Sequence, residues 1–120
     1  MDLNFTSEDQ QFREEAREWL NANVFNEHRP HGGEEMREYD RRWQKCQYDS
    51  GWAGVSWPKE YGGMGLSLTR QLIWYEEYAR ANAPDNHLCF VGLNHGGPTI
   101  IARGDEGQKK EHLRPILSGE

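Results

Sequence analysis

The chain has 120 residues, enough for one domain or for part of a larger protein. Its formal net charge of −6 excludes nucleic acid and anionic membrane as natural partners, since both call for a basic footprint. Ile, Leu, Val and Phe supply only 20 residues, but five Trp, five Tyr and four Phe compensate, so the expected core is thin in aliphatics and heavy in aromatics. In chain order, residues 6–24 read as an amphipathic helix. Thr6 and Asp9 make a capping-box pattern, and Phe12, Ala16, Trp19 and Leu20 share one face. A polar break with Pro30 and two glycines follows at 26–33. Residues 34–50 give a second helix with Met36, Tyr39, Trp43 and Cys46 on its stripe, and Gly51 stands where a left-handed C′ residue is wanted.

The next stretch, "GWAGVSWPKEYGGMG" from Gly51 to Gly65, holds five glycines and two tryptophans around a Trp-Pro step. A third helix is expected over 68–82, with Leu68, Leu72, Tyr75 and Ala79 facing the core, Trp74 and Tyr78 widening the face, and Pro84 as the stop. Residues 86–102 carry no formal charge in a chain where 28% of residues do. That pattern predicts a helix buried on all sides. Gly92, Gly96 and Gly97 admit a close neighbour, and Pro98 is expected to kink or break the helix. A last helix starts at Asp105 with Gln108 as its cap pair, carries Leu113, Ile116 and Leu117, bends at Pro115 and ends at Gly119. No period-two pattern persists and no repeat occurs, so the fold class is all-α.

Self-contained catalytic machinery is not legible. His28 and His31 flank Pro30 in a loop and lack further ligands, so no metal site is expected. Ser56 has no nucleophile elbow around it. The glycines match neither a P-loop nor a dinucleotide fingerprint. Cys46 and Cys89 are far apart and form no Cys-x-x-Cys motif; with no N-terminal signal peptide apparent, they read as reduced thiols of a cytoplasmic protein. No apolar run reaches the length of a membrane span.

Four pieces of sequence, in order, carry a resemblance: the Trp43-to-Gly65 pattern, "NFTSEDQQFREEAREWL", "LIWYEEYARANAP" and "GPTIIARGDEGQKKEHLRPILSGE". Together they resemble the N-terminal helical domain of acyl-CoA dehydrogenases over nearly all of residues 1–120. The Trp-rich form is most similar to actinobacterial and proteobacterial members, some of which act on steroid side chains. The resemblance implies a bacterial, FAD-dependent enzyme that removes hydrogens from the α and β carbons of an acyl-CoA and passes electrons to an electron-transfer flavoprotein. It implies a homo- or heterotetramer. It also implies that the flavin and the catalytic glutamate belong to a central β domain and a C-terminal helical domain outside this chain, so that no residue here is catalytic or cofactor-binding and this stretch alone is inactive. The family's acyl-pocket wall falls on the uncharged helix, with Phe90, Leu93, Asn94 and Gly97 as substrate-binding candidates and Val91 and His95 behind them. His95 is expected to be a hydrogen-bonded core histidine. Trp52 and Trp57 would anchor the glycine loop by packing. The resemblance leaves room for a non-catalytic helical subunit on the same fold, and for an acyl-CoA oxidase.

Overall fold

A computed structural model describes residues 4–85 and 87–120, and all secondary structure among them is helical. The α-helices are α1 (Ser7–Asn23), α2 (Gly33–Asp49), α3 (Leu68–Arg80), α4 (His87–Val91), α5 (Gly97–Arg103) and α6 (Glu106–Ser118). A 3₁₀ turn covers Lys59–Tyr61, and a π-helical turn, Gly92–Gly96, joins α4 to α5. The expected start and stop signals operate. Thr6 accepts from the Asp9 N–H while the Asp9 carboxylate accepts from the Thr6 N–H. Asp105 and Gln108 repeat that capping box at α6, and Gly119, at φ 84°, ends the helix. Gly51, at φ 79°, closes α2 as a Schellman motif: its N–H reaches the Tyr48 carbonyl and the Trp52 N–H reaches that of Gln47.

The chain divides into two compact units. One comprises the segment ending at Glu27 together with Leu66–Ala83, so that α1 packs on α3. Phe12, Ala16 and Leu20 are buried on α1 as their spacing predicts, and Ile73 and Trp74 are buried on α3. Trp19 lies 6.2 Å from Trp74, ring to ring, and Trp74 lies 5.7 Å from Tyr78. The expected stripe of α3 is wrong. Leu68 is 83% exposed and Tyr75 53% exposed, and Leu72 and Ala79 also face solvent.

The residue that upsets the pattern is Glu77, which is buried. Arg13 donates to it at 2.8 Å, and Arg17 donates through Nε and Nη2 at 2.8 and 2.9 Å. Arg17's hydrogen bonds are the largest influence on this carboxyl, and with Arg13 they hold its pKa at about 2, well below the ordinary 4.5. Apolarity alone assigns a glutamate to the solvent side of a helix. Once two guanidinium groups from α1 satisfy it, the buried face of α3 can centre on Ile73, Trp74 and Glu77 instead.

The second unit comprises His28–Gly65 and Pro84–Glu120. Its buried cluster is Ala53, Trp57, Leu113 and Leu117, with Leu93, Ile100, Ile101 and Ile116 packed against it. From α2, Tyr39 and Trp43 are buried, while Met36 and Cys46 are half-buried. Three polar residues of α2 are also buried and satisfied, among them Gln47, which donates to the Trp52 carbonyl at 3.4 Å. Gln44 donates to the Leu117 carbonyl at 2.7 Å, and Asp40 accepts both arms of Arg29 at 2.6 Å. The Arg29 fork holds the loop before α2, which the sequence marked only as a polar break.

Candidate functional site

The uncharged segment lies in the second unit. Its first residue, Asn86, is outside the described residues. From 87 to 103 the backbone is helical without interruption, because the π turn absorbs Pro98 where a kink or break was expected. Proline lacks an N–H, and its ring crowds the carbonyl four residues earlier. Widening the preceding turn relieves that crowding, with the Gly97 N–H bonding back five residues to the Gly92 carbonyl.

This register strands one acceptor. In an α-helix the Leu93 carbonyl would receive the Gly97 N–H, which here goes to Gly92. The next candidate, residue 98, is proline and has no N–H. The Trp57 indole Nε1–H fills the gap, donating to the Leu93 carbonyl at 2.8 Å. Trp57 is itself 2% exposed. Its ring lies against Gly97 so closely that a Cβ built there would overlap the six-membered ring of the indole, and a Cβ on Gly63 would overlap its own Cβ and carbonyl. The glycine loop thus closes around its tryptophan. Within it, Met64 N–H bonds to the Gly54 carbonyl and Gly65 N–H to the Trp57 carbonyl. Trp57 is the packing anchor, and Trp52 is only half-buried.

The turn also decides what the helix displays. An i→i+5 ladder sets residue i+5 above residue i, just as an α-ladder does for i+4. Phe90 and His95 are five apart, and their rings meet edge-on at 5.5 Å. Both are exposed, Phe90 by 53%, and Val91 beside them by 65%. The helix is therefore not buried on all sides, and His95 is not a core histidine. A run without charge signals an apolar surface, but it does not say whether the chain itself covers that surface.

The four leading candidates divide by environment. Phe90 and Asn94 are on the open side, where the Asn94 amide donates to the Phe90 carbonyl at 3.1 Å. Leu93 is half-buried and joins the Trp57 cluster, while Gly97 is buried under the indole. The geometry brings Phe90 together with His95 rather than with Gly97. The available signal was the i, i+5 spacing of two rings just ahead of a proline.

The glycines at 92, 96 and 97 lie inside the continuous helix, and those of the 51–65 loop are taken up by turns and by Trp57. No group of three or more His, Cys, Asp or Glu stands together as a metal site among them, and no helix is long and apolar enough to cross a membrane.

The model of the acyl-CoA dehydrogenase N-terminal domain matches residues 6–120. The chain belongs to the acyl-CoA dehydrogenase family. It is 40% identical over 117 residues to acyl-CoA dehydrogenase IpdE1 of Mycolicibacterium smegmatis, a match covering 90% of this chain and 29% of the relative. Among solved structures, the Tcur3481–Tcur3483 steroid ACAD is 37% identical with a TM-score of 0.73, over 99% of this chain and 31% of that one. The ChsE4–ChsE5 complex from Mycobacterium tuberculosis is 33% identical with a TM-score of 0.75, over 99% of this chain and 30% of that one. The chain thus spans less than a third of each of these proteins. All four quoted pieces of sequence fall within or overlap the matched domain.

Proposed function

We propose that this chain is the N-terminal domain of an FAD-dependent acyl-CoA dehydrogenase that acts on a bulky, steroid-type acyl-CoA thioester. In this reading it builds one wall of the acyl pocket and part of a homo- or heterotetramer, whose flavin, when bound, would supply the oxidising chemistry, with an electron-transfer flavoprotein as the electron acceptor. Flavin and catalytic base are supplied from outside these 120 residues, whose own glycines are already taken up by helix, turns and Trp57. Phe90, Leu93, Asn94 and Gly97 form the wall. Phe90 and Asn94 contact the acyl group, and Leu93 and Gly97 hold the helix from behind. The observation that carries the reading is the exposed Phe90 edge on the uncharged segment 86–102, in a chain that is 28% charged and matches this family over residues 6–120.

The test is to purify the whole polypeptide that contains this chain and add acyl-CoAs to it without oxygen. Bound yellow flavin that bleaches with a steroid side-chain CoA supports the reading. A protein that purifies without flavin would instead be a non-catalytic subunit, and rapid reoxidation by oxygen would make it an oxidase.

A further inference from the structure

The π turn holds two features that a packing element does not need: a carbonyl that accepts its hydrogen bond from another segment's side chain, and an exposed ring pair set by the register. We propose that Trp57 is a positioning residue of the acyl wall. Its indole N–H, donated to the Leu93 carbonyl, holds the π turn that sets Phe90 beside His95, and through them it governs which acyl groups the enzyme accepts. This rests on the function proposed above.

Three links join the indole to the acyl group. Pro98 and the Gly97–Gly92 bond leave the Leu93 carbonyl without a backbone N–H, and a carbonyl left unpaired beside the core would favour a different register. The indole satisfies that carbonyl at 2.8 Å and has little room to turn away, because Gly63 packs on the Cβ and carbonyl of Trp57 and Gly97 on its six-membered ring. The turn so held is what places residues 90 and 95 in one column, their rings 5.5 Å apart on the exposed side. An α-register would rotate His95 away from Phe90 and present a different edge to a ligand. Trp57 itself is buried and touches no acyl group in this scheme. It acts through Leu93.

The experiment compares the wild-type whole protein with Trp57→Phe, which keeps an aromatic ring and removes the donor. Two readouts are taken: amide hydrogen exchange across residues 92–97, and kcat/KM for a short and a bulky acyl-CoA. In the variant, exchange at 92–97 should quicken by about tenfold while α1 exchanges as before. The ratio of the two kcat/KM values should shift by about fivefold or more, mostly through KM. Should Trp57→Phe not fold, Pro98→Ala gives a second route. It returns an N–H to residue 98 and with it the option of an ordinary α-register, so it should move the ratio and expose the Trp57 indole N–H to exchange. Unchanged exchange at 92–97, or an equal loss of activity on both substrates, overturns the proposal. If the wild-type protein turns over no acyl-CoA, the functional reading fails and the acyl role with it, while the exchange data still decide whether Trp57 locks the turn.

Discussion

Gly96 and Gly97 are adjacent and both helical, at φ −63° and −59°, so neither backbone conformation calls for glycine. Replacing each by alanine should nevertheless move stability in opposite directions. Alanine is favoured over glycine by about 1 kcal/mol inside a helix. At Gly96 the nearest atom to an added Cβ is the Val91 carbonyl oxygen at 3.8 Å, an ordinary contact. Gly96→Ala should therefore stabilise by roughly 0.5–1 kcal/mol. At Gly97 the added Cβ lands in the Trp57 ring, with Trp57 Cη2 at 2.5 Å and the Gly92 oxygen at 3.0 Å. If the indole shifts in place, overpacking costs about 1–3 kcal/mol. If it is expelled, the loss approaches that of a buried aromatic, about 3–5 kcal/mol. After the helix-propensity gain, Gly97→Ala should destabilise by up to about 4 kcal/mol. Urea unfolding followed by tryptophan fluorescence gives both midpoints in one series. Equal shifts for the two variants, or a stabilised Gly97→Ala, would refute the packing of Trp57 on this helix.

Trp57→Ala should cost about 3–5 kcal/mol in the same assay, whereas exposed Lys59→Ala should stay within about 0.5 kcal/mol. Because the folded pKa of Glu77 is depressed from 4.5 to about 2, its contribution is complete above pH 4.5 and is lost as the pH falls towards 2. That shift corresponds to roughly 3 kcal/mol, so Glu77→Gln should lower the unfolding free energy at neutral pH and flatten its decline between those values. Thr6→Ala removes the acceptor of the Asp9 N–H and should cost about 1 kcal/mol, measured by thermal melting, with a matching loss of helix signal if the first turn frays.

The placement of the uncharged segment, on which the proposed acyl wall rests, was partly legible. The uncharged run marks an apolar helix whose exposed edge includes Phe90, but absence of charge alone reads as burial on all sides, and the i, i+5 register at Gly92–Gly96 lies outside an ordinary helical count. His95 is exposed rather than in the core because a run without charge does not tell whether the chain itself covers it. The anchoring of Trp57 was legible as a tryptophan set among glycines. Its acceptor was not, since residues 57 and 93 are joined only by the fold.

What the sequence determined by itself is whatever depends on neighbours within one or two turns. The capping boxes at Thr6 and Asp105, the Schellman glycine at 51, the terminal Gly119 and the all-helical class are settled by local hydrogen bonds and backbone preferences, which short spacings record directly. The tertiary structure decided which face of each helix is buried. On α3 that choice turned on Glu77, whose cost of burial is offset only once Arg13 and Arg17 arrive from α1. On the helix from 87 to 103 it turned on an indole donor more than thirty residues away in the chain. Partners at that separation leave no periodic trace, because their energies depend on distance in space, and the spacing of residues along the chain does not encode it.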